Sequence, residues 1–340
     1  MNALVTGASG FVGSHVARLL AGRGDRVRVL LRPTSDLRAL RDLPVERVAG
    51  DLRDSASLAG AVSGVDTVFH VAADYRLWTR NPAEIYECNV TGTRNLLDAA
   101  QNAGVRRFIY TSSVATVAVH RPGALPDENV DSRLDEMIGH YKRSKFLAEQ
   151  EALQAAQRGM RVVVVNPTTP IGPGDWKPTP TGRLIVDFLS GRMPAYVDTG
   201  LNIVPVEDAA RGHLLAAERG QSGQRYILGG RNMTMREILE ALARVTGRPA
   251  PRVRLPHAVA LAAAYADTAW CRMLGREPRI PIDGVRMSRH RMFVDCSRAT
   301  RELGFAAGAP EAALASAARW YEENGYVPGR AEARAQAAAA

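Results

Sequence analysis

Lysine is almost missing from this 340-residue chain: Lys142, Lys145 and Lys177 are the only three among 44 basic residues. The other basic residues are arginines spread over the whole length, and the formal net charge is +9. Scattered arginine with no dense run and no nucleic-acid motif argues against a nucleic-acid surface, although the excess suits anionic ligands such as phosphates. Cysteine is equally scarce. Cys88, Cys271 and Cys296 are odd in number and far apart, which excludes a disulfide framework or a zinc spacing and fits a reducing cytoplasm. Long apolar runs are absent as well. The most apolar later stretch, 258–266, is about half of the roughly 18 residues a membrane span needs, so no integral membrane segment is expected. Met1 leads straight into a strand-like run, leaving no room for a secretory signal. No cluster of His, Cys and carboxylates supports a metal.

What is present is a globular composition, 46% hydrophobic and 23% charged. Short apolar runs at 2–6, 26–31, 45–49, 67–70, 107–111, 161–165 and 225–228 read as strands. Helical patterns alternate with them, notably at 11–22, 89–102 and 141–157. Such alternation predicts an α/β protein with a doubly wound parallel sheet and helices on both faces. After Pro167 the texture changes: Pro170, Pro173, Pro178 and Pro180 crowd a loop-like stretch. Further on, 205–217 reads as a turn into a helix, and 234–246 as a helix capped by Thr234 with Glu237 three residues later. The alanine-rich end, 331–340, is expected to fray.

Gly7, Gly10 and Gly13 follow the first strand and open the first helix, with Ser9, Phe11 and Val12 between and beside them. One glycine permits a tight turn, another a close backbone approach to a pyrophosphate, the third close packing of helix on strand. Phosphate then meets free N–H groups at the positive helix end. The second strand ends in Leu31-Arg32 instead of the carboxylate that would hold a ribose 2′-hydroxyl. Arg32 suits a 2′-phosphate, which points to NADP with NAD as the alternative.

Tyr141 and Lys145 are four residues apart and share a helix face. A nearby ammonium stabilises phenolate, so Tyr141 is expected to have a lowered pKa and to exchange a proton with a substrate hydroxyl or carbonyl. Thr111-Ser112-Ser113 ends the 107–111 strand, on the edge of a parallel sheet where ligands bind.

Taken in order, 6–13, Gly50-Asp51-Leu52, His70-Val71-Ala72-Ala73, 89–93, 111–113, 141–145 and 295–305 resemble an extended short-chain dehydrogenase/reductase over residues 1 to about 325. Segments 72–78 and 166–175 are most similar to the hopanoid-associated sugar epimerase group, near the dihydroflavonol 4-reductase-like branch. The resemblance implies a Rossmann-like domain at 1–168 and 201–229, a smaller mixed α/β substrate-binding lobe at 169–200 and 230–328, and a loose tail at 329–340. It implies that Asp51 and Leu52 flank the adenine, Ala72 and Ala73 line the cofactor path, Asn89 supports the active-site backbone, and Pro167 packs on the nicotinamide. Ser113, Tyr141 and Lys145 become the catalytic residues, with Lys145 holding the nicotinamide ribose. A homodimer through helices 89–102 and 141–157 is a further implication. Leu31-Arg32 and Asn166-Pro167 depart from sugar-nucleotide epimerases, where a carboxylate and Arg-Pro are usual, and lean toward NADPH reductases.

For the small-molecule substrate, Asn202 ranks first, then Trp78 and Trp176, with Lys177, Arg183, Arg231 and Arg279 as further candidates; His70 is expected to pack inside the sheet edge. The expected chemistry is hydride transfer between NADP(H) and a carbonyl or hydroxyl, in hopanoid or isoprenoid metabolism. The alternatives are a nucleotide-sugar epimerase with retained cofactor and a non-catalytic NADP-sensing regulator.

Overall fold

The computed structural model describes residues 1–118 and 123–327; the segment read as a tail, 329–340, lies outside them. The first half runs β1 (Asn2–Thr6), α1 (Phe11–Gly22), β2 (Arg26–Leu31), β3 (Glu46–Ala49), α2 (Leu58–Val62), β4 (Thr67–His70), α3 (Ala83–Tyr86), α4 (Gly92–Asn102), β5 (Arg107–Thr111) and α5 (Gly139–Gln157). Then follow β6 (Val162–Pro167), β7 (Thr169–Ile171), α6 (Pro180–Leu189), β8 (Ala195–Val197), β9 (Gly200–Pro205), α7 (Val206–Arg219) and β10 (Arg225–Leu228). The chain ends with β11 (Arg231–Thr234), α8 (Met235–Thr246), β12 (Val253–Leu255), α9 (His257–Met273), α10 (Ile282–Met287) and α11 (Pro310–Glu323).

Seven strands form one parallel sheet in the order β10-β6-β5-β4-β1-β2-β3. This is the doubly wound Rossmann-like arrangement, and its winding reverses between β1 and β4. Both faces are covered. Along β1, Ala3 and Val5 point to a core shared with Val16 and Leu20 of α1 and Ala210 of α7. Leu4 points the other way, to Leu58 of α2, Leu96 of α4 and Ala148 of α5. Burial on both faces is why Val162 to Val165 read as an unbroken apolar run.

A second, smaller assembly follows. Strands β11, β9 and β7 form a three-stranded mixed sheet, and β12 pairs with β8. Residues of α6, α8 and α11, including Ile185, Leu239 and Leu314, close a core of their own around Ile203. Strand β9 belongs to the small sheet and ends at Pro205, where α7 begins and packs on the core of the large one. The proline-rich stretch is also more regular than expected. It holds β7, and Pro180 occupies the first turn of α6, where a missing N–H costs nothing, while Thr179 caps that helix by accepting from Gly182 N–H at 3.1 Å.

Two helix starts differ from the sequence periodicity. Residues Glu87–Thr91 form a π-helical turn before α4, and α5 begins at Gly139. Asn89 therefore sits in a widened turn, with its side chain free to leave the helix face.

Two buried histidines, His70 at the end of β4 and His213 on α7, are locked neutral. Thr93 donates its hydroxyl proton to Asn89 O (2.6 Å), so His70 Nε2–H donates to Thr93 Oγ1 at 2.9 Å, and Thr6 donates to His70 Nδ1 at 2.7 Å. His213 Nδ1–H donates to Ala209 O at 2.7 Å, and Thr111 donates to His213 Nε2 at 3.0 Å. Burial lowers their pKa values to about 3 for His70 and about 4 for His213. The unfolded chain binds these protons near pH 6.5 and the folded chain does not, so stability is lost as pH falls below that value. Urea unfolding at about pH 5 should show each histidine removing roughly 2 kcal/mol relative to about pH 7.5, and a His213→Gln variant should show that much less loss. An acid-insensitive wild type would contradict the neutral assignment.

Candidate active site

The loop after β1 meets β4 where the sheet winding reverses. Gly7 has φ +70°, and a Cβ on it would stand 2.6 Å from Ala72 N. A Cβ on Gly13 would stand 2.2 Å from Gly7 O. No larger residue fits either position without moving backbone. Gly10 is different: a Cβ there would meet only Gly7 O, at 3.1 Å, and the residue is exposed. Gly10 caps α1 without a side-chain hydrogen bond, and no acidic residue stands in the first turn. Ser9, Phe11 and Val12 are half-buried around it. A pyrophosphate fits this place: the glycines remove steric cover, and the first-turn N–H groups have no side-chain acceptor.

Toward the adenine end, Arg32 is exposed and, among the described residues, forms no ion pair. Its backbone N–H donates to Ser35 Oγ at 3.0 Å. Asp51 is paired with Arg53 at 2.7 Å, which holds its carboxyl below the usual range, with Arg32 adding a weaker pull. Leu52 is buried beneath Gly92, and its carbonyl accepts from Asn95 Nδ2 at 2.9 Å. Past β4, Ala72 N–H donates to Thr6 Oγ1 at 3.3 Å, and Ala73 is half-buried. Asn89 then braces the backbone: its Oδ1 accepts from Asp74 N–H at 2.7 Å, and its Nδ2 donates to Asp74 O at 2.8 Å and Ser144 Oγ at 2.9 Å.

Ser113 lies just past the C-terminal end of β5 and accepts from Ala115 N–H at 3.1 Å. Its hydroxyl faces the Tyr141 phenol closely enough to act on that group's titration. The expected lowering of the Tyr141 pKa does not hold in this structure. Burial raises it, the nearby Ser113 hydroxyl opposes that rise, and the Lys145 ammonium does not act on it. The reason is geometric. Lys145, only 2% exposed, donates from Nζ to Thr111 O at 2.7 Å and lies 4.7 Å above the Tyr110 ring. Burial lowers its own pKa to about 8, against an upward pull from Glu149.

Glu149 is the residue the sequence spacing conceals. It follows Lys145 by four and is fully buried. Thr116 Oγ1 and Asn166 Nδ2 each donate to its Oε2 at 2.9 Å, and Arg225 Nη1 approaches its Oε1 at 3.4 Å. Asn166 Nδ2 also donates to Ser113 O at 3.1 Å. Glu149 thus fixes the backbone that carries Ser113. Its only sequence signal is a carboxylate in register with Tyr141 and Lys145 on one helix face. Pro167, next to Asn166, is buried at the end of β6.

The substrate candidates separate. Trp78 is half-buried in the loop after β4; Arg80 of that loop donates to Gly275 O, and Leu77 lies 3.6 Å from where a Gly284 Cβ would be. Asp283 of α10 packs on Gly139, two residues before Tyr141. Loop 74–80 and α10 therefore meet beside the start of α5. Trp176 belongs elsewhere: its ring is 4.9 Å from Trp320, Arg38 covers it at 4.7 Å, and its carbonyl accepts from the Tyr326 hydroxyl at 2.6 Å. Those contacts make it a packing residue between α11 and the segment after β2. Asn202 is 1% exposed and its amide is spent on backbone and neighbour: Gly230 N–H donates to Oδ1 at 2.7 Å, and Nδ2 donates to Asn232 Oδ1 at 2.7 Å. It braces β9 against β11. Arg231 is ion-paired with Glu311, and Lys177, Arg183 and Arg279 are exposed. Among the described residues, no group of three or more His, Cys, Asp or Glu gathers as a metal would require.

A doubly wound sheet with a glycine cradle at its reversal point and a serine–tyrosine pair over a buried lysine defines an enzyme of the short-chain dehydrogenase/reductase class. Residues 3–229 match the NAD dependent epimerase/dehydratase family, and the chain belongs to that family of extended short-chain dehydrogenases/reductases. It is 47% identical over 327 residues to a Synechocystis sp. protein provisionally named dihydroflavonol 4-reductase, covering 95% of each chain. It is 37% identical over 329 residues to sterol demethylase protein B of Methylococcus capsulatus, covering 96% of this chain and all of the other. Among solved structures, a nucleoside-diphosphate-sugar epimerase from Pseudomonas aeruginosa superposes with a TM-score of 0.78 at 29% identity, covering 96% of this chain and 99% of that one.

The buried charges yield a measurable consequence. Glu149 supports the protonated form of Lys145. Glu149→Gln should lower the Lys145 pKa, so that any loss of nicotinamide-nucleotide affinity with rising pH sets in at lower pH than in wild type. Fluorescence titration of the reduced cofactor across pH reads this directly; an unmoved midpoint would show that Glu149 does not act on Lys145.

Proposed function

We propose that this chain is an NADP(H)-dependent oxidoreductase that reduces a carbonyl, or oxidises the corresponding hydroxyl, by hydride transfer. The observation that carries this reading is the placement of Ser113 just past the end of β5 beside the Tyr141 phenol, with Lys145 buried one turn further along the same helix. Ser113 is suited to hold the substrate oxygen. In the reductive direction Tyr141 gives that oxygen a proton as the carbon receives the hydride, so the carbonyl becomes an alcohol. The raised pKa of Tyr141 keeps it protonated at neutral pH, which suits a proton donor. Lys145, placed one helical turn on, would hold the nicotinamide ribose. The bound nicotinamide supplies or accepts the hydride. Arg32, exposed and unpaired among the described residues, is the residue we assign to a 2′-phosphate.

Net reduction is supported by the reductase name of the Synechocystis relative and by Leu31-Arg32 at the end of β2. The sterol demethylase name of the Methylococcus relative supports a substrate of the isoprenoid lipid class, such as a hopanoid. The similarity to a sugar epimerase sustains the second reading, in which the hydride is returned to the same substrate. A cytoplasmic location and a homodimer through the outer faces of α4 and α5 complete the proposal, as does a division into a nucleotide domain and a substrate lobe.

Tyr141→Phe tests the chemistry. It should retain NADPH binding while losing turnover by about 10²- to 10⁴-fold, the usual worth of a positioned acid. Wild-type protein should favour NADPH over NADH, and Arg32→Ser should remove about a tenfold or greater share of that preference. Full turnover in Tyr141→Phe would overturn the assignment of Tyr141.

A further inference from the structure

Helix α9 buries few of its residues: Ala260, Ala264 and Cys271. Its outer side is apolar. Val259 is 52% exposed, Trp270 62%, Met273 80%, and Leu274 just beyond it 50%. Between them Ala262 and Ala266 are exposed as well. Positions 259, 262, 266, 270 and 273 recur at intervals of three or four, so they form one stripe along the helix. From Val259 to Met273 the stripe runs for about 21 Å along the helix. No charged side chain interrupts it. Single exposed apolar residues are ordinary, but a contiguous face of this kind marks an interaction surface.

The surroundings say what it meets. Arg272, Arg276 and Arg279 are exposed at the C-terminal end of the stripe and, among the described residues, form no ion pair; Glu277 is the one carboxylate among them. An apolar helical face with a tryptophan near its end and free arginines at its border is the arrangement of a helix lying in the plane of a bilayer surface. The charge complements anionic lipid headgroups. Among the described residues no helix is long and apolar enough to cross a membrane, so the contact is peripheral.

We propose that the exposed face of α9 docks this protein on an anionic lipid surface, with Trp270 and Met273 entering the headgroup boundary and Arg272, Arg276 and Arg279 against the headgroups. The C-terminal end of α9 adjoins the loop that carries Trp78, because Arg80 donates to Gly275 O. Docking therefore brings the bilayer to the side of the molecule where α10 and loop 74–80 meet the start of α5. The proposal is independent of which cofactor or substrate the site takes.

Co-sedimentation of the full chain with phosphatidylcholine vesicles, with and without phosphatidylglycerol, tests it. The protein should pellet with the anionic vesicles and be released by salt. Arg276→Gln with Arg279→Gln should weaken binding about fivefold for each charge removed. Trp270→Glu with Met273→Glu should weaken it about tenfold or more. All four side chains are exposed, so thermal melting of both variants should match wild type. Absence of binding to anionic vesicles, or binding that Trp270→Glu with Met273→Glu leaves intact, would overturn the proposal. So would a dimer that this variant dissociates without any vesicle binding, which would assign the face to a second copy of the chain.

Discussion

The molecule depends on one close approach of backbone to backbone. Gly7 turns with a positive φ against Ala72 at the end of β4, and Gly13 seats the first turn of α1 on the Gly7 carbonyl. That contact points the start of α1 into the gap between β1 and β4. It also fixes where an anionic group can lie, because the first-turn N–H groups converge there without a side-chain cap. Strand β5 is the next neighbour in the sheet, so the segment carrying Ser113 stands a fixed distance along the same edge. The loop that holds a cofactor and the segment that holds a substrate oxygen are thus positioned by one rigid element.

Behind that edge the protein keeps charges where water is excluded. Lys145 and Glu149 are both buried on the inner face of α5, which is tolerable because each polar atom has partners. The arrangement is asymmetric. Lys145 reaches the Thr111 carbonyl, while Glu149 gathers Thr116, Asn166 and Arg225 and through them the Ser113 backbone. Asn166 suits this task because one amide can reach both the Glu149 carboxylate and the Ser113 carbonyl. The departure from Arg-Pro noted at 166–167 therefore has a local structural role.

The inner strands of the large sheet, β1, β4, β5 and β6, were legible because each is a short apolar run buried on both faces, and the glycine loop because its strand and helix flank it. Ser113, Tyr141 and Lys145 could be picked out by sequence neighbourhood and helix spacing. The small sheets were not legible: β7, β8 and β12 are three residues long, and β8 and β12 are at most half-buried, which leaves too few residues for a periodic signal. The Glu149 network was hidden because its members come from α5, β6, β10 and the turn after β5. Trp176 and Asn202 have partners within the protein that their sequence neighbourhood does not reveal. A tryptophan in a loop and an asparagine at a strand turn serve packing and backbone bonding as readily as ligand binding, and only their partners tell which. The Tyr141 pKa was misjudged because helix spacing shows which side chains are neighbours but not which one the ammonium chooses.

Whether the hydride is spent or returned is the central claim, and isotope transfer reads it most directly. NADPH carrying deuterium at C4 of the nicotinamide should be consumed with an isoprenoid carbonyl substrate, leaving one deuterium in each alcohol formed and an equal amount of NADP. No net NADPH consumption, together with a configurational change in a sugar nucleotide that keeps its own hydrogen, would contradict the account.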